Sequence, residues 1–99
     1  MEVKIEKKGE QVLAIIKGRI DSSTAQKLND ILAKAIRGTK TMILDFKNVD
    51  FISSAGLRVI LASSKALKDQ NGNLKIINVS PIIAEVFDMT GFSEVIDID

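Results

Sequence analysis

The chain has 99 residues, with 14 Lys and Arg against 13 Asp and Glu, 45% apolar residues, four Phe, and neither Cys nor His. That length suits one domain with a real core, and a net charge of +1 with scattered lysines and few stacking aromatics argues against a nucleic-acid partner. Without Cys or His there are no disulfides, thiol nucleophiles, imidazole bases or imidazole metal ligands, and no apolar run approaches the ~20 residues of a membrane span.

The first residues, Met1-Glu2-Val3-Lys4-Ile5-Glu6, lack signal-peptide character, so a cytoplasmic location without direct membrane insertion is expected. Val3 and Ile5 alternate with Glu2, Lys4 and Glu6, which predicts a half-exposed edge strand over 2–6. Lys7 to Glu10 reads as a turn and Gln11 to Lys17 as a more continuously apolar strand, the pair forming an antiparallel hairpin. Gly18-Arg19-Ile20-Asp21 then leads into a first helix, where Ser23-Thr24-Ala25-Gln26 fits a capping box and Asp21 or Ser22 offers an alternative cap. Ala25, Leu28, Leu32, Ala35 and Ile36 form one apolar stripe, and Gly38 stops the helix.

Thr41 to Phe46 predicts a short buried strand, and Lys47-Asn48-Val49-Asp50 a polar corner after it. Phe51-Ile52-Ser53-Ser54-Ala55-Gly56-Leu57 then brings two adjacent hydroxyls to the mouth of a helix that runs to Asn71. A hydroxyl there stands beside unpaired backbone N–H groups and the positive end of a helix dipole, a place that suits a phosphate. Helix capping is the other role open to the pair. At about 100° per residue, Ser54, Arg58, Lys65 and Asp69 share a polar face of this helix. Leu57, Ile60, Leu61, Ser64 and Leu67 cover one apolar side, and Ala55, Val59, Ala62 and Ala66 cover a second side made of small residues. Deep burial of the helix accounts for that surplus, and so does a partner docking on the small side next to the serines, a second copy in a weak homodimer included.

Leu74 to Val79 predicts a fourth strand, and Ser80-Pro81 marks a helix start. Ile82 to Thr90 reads as a short helix packing through Ile82, Ile83, Val86 and Met89 or Phe87, with Gly91 at its end. Glu94 to Ile98 alternates as a last strand, with Val95 and either Ile96 or Ile98 facing in. The order ββαβαβαβ describes a single α/β domain over 1–99, with a mixed, mostly parallel sheet of four to five strands, an N-terminal hairpin and three helices. Sites in such sheets lie beyond the carboxyl ends of the strands, so the loops after Lys17 and Phe46 are expected to share a surface. Enzyme chemistry finds little support. Ser54 and Lys65 are three helical turns apart, ~16 Å along the axis, and carboxylates such as Asp45 and Asp50 at a strand end are usually solvated or capping. No cofactor or metal is expected.

The chain resembles the STAS family, which includes the bacterial anti-sigma factor antagonists. The matching pieces are Gly18-Arg19-Ile20-Asp21 with Thr24-Ala25, Ile43-Leu44-Asp45-Phe46 with Val49, Phe51 to Leu57, and Asn78-Val79-Ser80-Pro81 with Val86-Phe87-Asp88-Met89-Thr90-Gly91-Phe92. In the antagonists the central motif usually has Asp followed by the serine that an anti-sigma factor serine kinase phosphorylates. The resemblance therefore implies Ser54 as phosphoacceptor, with Ser53 in the place of the Asp and as second choice. It further implies that the unphosphorylated form binds the kinase, that phosphorylation ends the binding, and that a serine phosphatase restores it. Taken with the small side and polar face of the second helix, it makes Asp21, Ser22, Ser53, Ala55, Gly56, Arg58, Val59 and Ala62 the candidate partner-binding residues. A STAS subunit of a lipid-transport ATPase complex, or a stress-signalling scaffold, is the alternative, with Ser54 structural. The further helix that family members often carry after the last strand is not found before Asp99.

Overall fold

A two-residue loop opens the fold. In the computed structural model, which describes residues 1–99, strands β1 (Glu2–Lys8) and β2 (Gln11–Ile20) pair antiparallel and are joined by Gly9-Glu10. Gly9 has φ +61°, as a tight hairpin with glycine at its first central position requires. The predicted four-residue turn is therefore half as long, and both strands are longer than their apolar residues suggested.

Helix α1 (Ala25–Ala35), strand β3 (Thr41–Ile52), helix α2 (Ser54–Asp69), strand β4 (Asn73–Ile77), helix α3 (Pro81–Met89), a 3-10 turn (Phe92–Glu94) and strand β5 (Asp97–Ile98) follow. The five strands lie in the order β1-β2-β3-β4-β5, and β2 to β5 are all parallel. Neighbouring strands joined in sequence by crossovers of one hand put every helix on the same side of the sheet. The strands bury the matching face. Val12, Ala14 and Ile16 of β2, Met42, Leu44 and Phe46 of β3, and Leu74 and Ile76 of β4 join the helix residues Leu28, Leu32, Leu57, Ile60, Leu67, Ile83 and Phe87 in one core. The alternate residues Leu13, Ile15, Ile43 and Ile77 are only half-buried on the opposite face. At the far end of the core Phe87 lies 6.0 Å from Phe46 and 5.9 Å from Phe92, ring centre to ring centre.

Strand β3 departs from the expected outline. It continues through the predicted polar corner to Ile52 because it takes in one extra residue at each of two bulges. Ile15 lies opposite Asp45 but Lys17 opposite Asn48, and Gly18 opposite Val49 but Arg19 opposite Phe51. Each insertion lengthens the spacing of inward residues from two to three, so Phe46, Val49 and Ile52 are the buried ones while Lys47, Asn48, Asp50 and Phe51 point outward. What reads as a corner is a strand with its period broken.

The end of the chain also differs. Strand β4 stops at Ile77, before the predicted end at Val79. The nine-residue α3 buries one stripe only, carrying Ile83 and Phe87, and leaves Ile82 and Met89 outside at 72% and 79% exposure. The 3-10 turn occupies the start of the predicted last strand. Ile96 N–H bonds Phe92 O at 2.9 Å, which turns both residues inward and leaves Val95 54% exposed. The start of α3 follows the sequence: Ser80 caps it by accepting from Ile83 N–H at 3.3 Å, with Pro81 first in the helix.

Candidate functional site

The carboxyl ends of β2 and β3 carry the two loops that the chain order brings together. Ile20 and Ile52 are register partners, and the Ser53 N–H donates to Ile20 O at 2.8 Å, so the β2–α1 loop and the serine pair leave the sheet side by side. Ser53 is the N-cap of α2, extended at φ −96° and ψ 174°, with its Oγ accepting from Gly56 N–H at 3.4 Å. Ser ranks with Asp among the best capping residues, so Ser53 caps the helix without bringing a charge to the corner. Ser54 is the first residue of the helix. It is exposed, its hydroxyl makes no hydrogen bond within the chain, and α2 has no acidic residue in its first turn. Arg58, one turn on and also exposed, extends from the same face. Of the two serines, Ser53 is thus the cap, and the Ser54 hydroxyl is left unbonded.

The close approach of helix to sheet rests on Gly56. A Cβ added there would stand 2.6 Å from Ile20 Cγ2 and 2.9 Å from Ile52 Cγ1. Gly56 is buried, as is Val59, so both shape the site from beneath and neither offers open surface to a partner.

The β2–α1 loop is tied together around Asp21. Its Oδ1 accepts from Ser23 Oγ at 2.7 Å and Ser23 N–H at 2.9 Å, and these bonds hold the carboxyl below its ordinary value of 3.8. Thr24 Oγ1 accepts from Asp21 N–H at 2.9 Å and donates to Arg19 O at 3.0 Å. The predicted capping box at Ser23 does not form, because α1 starts at Ala25 behind Thr24, whose hydroxyl is committed to this loop. Asp21 and Ser22 lie beside the serine corner without bonding to either serine. The loop's outer flank is Arg19, whose guanidinium sits 4.2 Å above the centre of the Phe51 ring and whose Nε is 3.6 Å from Asp21 Oδ2. Neither Arg19 nor Phe51 was marked by sequence spacing. The bulge beside Asp50, which brings them into register, is what makes them neighbours.

Behind Ser54 a groove runs between α1 and α2. Its upper hollow, about 330 Å³, is lined by Ala25, Gln26, Asn29, Ala55, Arg58 and Val59. Past Asn29 a second hollow of about 260 Å³ is lined by Asn29, Ala33, Ile36, Ala62, Ser63 and Ala66. The small-residue side of α2 therefore faces α1. Val59 is covered, Ala55 and Ala66 are half-covered, and Ala62 is open. Leu61, expected inside, is 43% exposed because it stands at the outer edge of the apolar arc beside Lys65 and Lys68, whereas Ser64 is buried as expected and Ser63 is buried with it. The α1 wall was not anticipated. The row Gln26, Asn29, Ala33, Ile36, flanking the apolar stripe at helical spacing, was its only signal. The other candidates stay apart: Asp45 Oδ1 accepts from Lys47 N–H at 3.0 Å and Asn78 Nδ2 at 3.1 Å, and Asp50 is exposed. No helix is long and apolar enough to cross a membrane.

The model of the STAS domain family matches residues 2–99. The chain belongs to the STAS family. An anti-sigma-B factor antagonist of Bacillus subtilis is 34% identical to it over 83 residues, covering 84% of this chain and 76% of the relative. Among solved structures, the anti-sigma factor antagonist SpoIIAA in its unphosphorylated form superposes with a TM-score of 0.86 at 22% identity, over 99% of this chain and 88% of that one. The Bacillus cell fate determinant SpoIIAA in the phosphorylated form gives 0.78 at 22% identity, over 99% and 91%. These two likenesses concern the fold. The STAS fold accounts for the five-stranded mixed sheet and three helices seen here.

Proposed function

We propose that this STAS domain is an anti-sigma factor antagonist, a regulator that binds an anti-sigma factor serine kinase while Ser54 is unmodified and is released when that serine is phosphorylated. The observation that carries the reading is the unengaged Ser54 hydroxyl at the first position of α2, next in the chain to Ala55 of the groove lining and one turn from Arg58. The names borne by the curated relatives support it. Ser53, occupied as the cap, is the poorer acceptor of the two.

The chemistry suits a switch that spares the fold. A phosphoserine adds roughly −1.5 to −2 charges. At the start of α2 that charge meets the positive end of the helix dipole, worth about 0.3–1 kcal/mol at an exposed site, and the Arg58 guanidinium. The domain keeps its structure, while a partner seated on Asp21, Ser22, Ala55, Arg58 and Ala62 meets a new anion where one desolvated like-charge contact costs several kcal/mol. Gly56 and Val59 set the shape of that surface from below, and a serine phosphatase resets it.

The test is incubation with the cognate kinase and ATP, followed by peptide mass mapping. Phosphate on Ser54 is expected, and its absence from both Ser54 and Ser53 would overturn the reading. Ser54→Ala should bind the kinase whether or not ATP is supplied, while Ser54→Asp should bind weakly.

A further inference from the structure

The charge of the chain is divided between its two parts. Up to Ile77 there are fourteen Lys and Arg against eight Asp and Glu, and from Asn78 onward five Asp and Glu with no cation at all. Lys75 offsets part of the second group, since its Nζ lies 3.0 Å from Asp99 and its strand position is beside Asp97. Glu85, Asp88 and Glu94 are exposed and in no ion pair.

Two of these carboxylates, Glu85 and Asp88, stand on the helix that carries the two most exposed apolar side chains of the molecule. Ile82 and Met89 are seven residues apart and so share one stripe of α3, at 72% and 79% exposure, with the half-buried Val86 beside them. Glu85 and Asp88 follow on the solvent side of that stripe, and the next turn of chain adds Val95, 54% exposed, and Glu94. Ile82, Met89 and Val95 take no part in the core, which α3 reaches through Ile83 and Phe87 with Val86 packed at its edge. A strongly exposed apolar stripe edged by one sign of charge is the mark of an interaction surface.

We propose that the outer face of α3, with Glu94 and Val95, is a second docking surface, and that its occupant is a basic amphipathic segment of a partner protein. The apolar stripe takes the partner's apolar residues, and Glu85, Asp88 and Glu94 pair with Lys or Arg on either side of them. Charge decides among the occupants. An anionic lipid surface is repelled by the same carboxylates. A symmetric dimer through this face sets Glu85 and Asp88 of one copy against those of the other. A head-to-tail contact with the basic surface of α2 on a second copy is heterologous, so it builds rings or open chains of many copies rather than a pair. Ser54 is not part of this face, so the surface works independently of the phosphorylation switch.

Nuclear magnetic resonance titration of the isotope-labelled chain tests this. The probe is a synthetic amphipathic peptide of Leu and Lys, ~18 residues long, and the control has Glu in place of every Lys. Shift changes are expected within residues 81–99 for the Leu/Lys peptide only, with affinity falling ~10-fold or more as salt rises to a few tenths molar. Glu85→Lys combined with Asp88→Lys, and separately Ile82→Ser combined with Met89→Ser, should each weaken binding at least ~10-fold. All four positions are exposed, and an unchanged melting curve verifies that the variants fold. Ser54→Asp should bind the peptide as well as the native chain does. Shifts centred on α1 and α2, equal binding of the Leu/Glu peptide, or binding indifferent to the α3 substitutions would overturn the proposal. Concentration-dependent shifts on α3 and α2 together, without peptide, would overturn it in favour of a second copy as the occupant.

Discussion

Replacing Gly56 by Ala is the most exacting test of how the serine corner is built. In most helices this change is favourable, since Ala is better than Gly by up to about 1 kcal/mol in a helix interior. Here the new Cβ meets Ile20 Cγ2 at 2.6 Å and Ile52 Cγ1 at 2.9 Å. Both neighbours are buried, β-branched and therefore stiff at χ1, and they lie on register partners of adjacent strands, so neither turns aside alone. Relief requires α2 to lift from the sheet, and overpacking of this kind costs about 1–3 kcal/mol. The propensity gain is smaller in the first turn, where Gly56 lies, so a net loss of ~1–2 kcal/mol is expected. In urea denaturation followed by circular dichroism, at a slope of about 1–1.5 kcal/mol per molar, the midpoint should fall by ~1 M. A midpoint equal to or above that of the native chain would show that α2 is not held at this distance by Gly56, and the account of the corner would fail with it.

The two serines should separate in the same assay: Ser53→Ala removes the cap and should cost ~1 kcal/mol, whereas Ser54→Ala, at an exposed and unbonded hydroxyl, should stay within ~0.5 kcal/mol. Phe87→Ala removes the ring that links Phe46 to Phe92 and should cost ~3–5 kcal/mol, read as a large drop in the urea midpoint or failure to accumulate folded protein. Asp21 should titrate below 3.8 in the folded chain, because Ser23 donates to its charged form. A folded value below the unfolded one means that its contribution is present above about 3.9 and is lost as the pH falls through the folded value. Carboxyl carbon resonances followed through an acid titration check this, and Asp21→Asn should flatten the dependence of stability on pH in that acid range.

Much of the fold was legible because it rests on local patterns. The hairpin, the alternation of strands with helices, the Ser80-Pro81 start of α3 and the helical stripe of α1 each arise from spacings within a few residues, and each appears in the structure. The misread elements lie where one element's course depends on another. Lys47, Asn48 and Asp50 interrupt the apolar alternation of β3, and only pairing with β2 shows that they are bulge and surface residues of a continuing strand. Ile82 and Met89 are as apolar as Ile83 and Phe87, and the docking of α3 on Phe46 decided which pair went inside. The same holds in the site, where Ser53 and Ser54 are chemically identical until the strand-to-helix transition places one as the cap and the other first in the helix.

By itself, then, the sequence determined the class of fold, the family, and the presence of two hydroxyls at a strand-to-helix corner followed one turn later by Arg58, since periodicity and turn chemistry are written in neighbouring residues. The tertiary structure alone decided which serine is free, why a side chain at Gly56 would press on Ile20 and Ile52, that α1 supplies the far wall of the groove, and that Arg19 lies over Phe51. These depend on the distance and register between segments far apart in the chain. Such distances follow from the packing of the whole core, to which every buried residue contributes and which no short window of sequence contains.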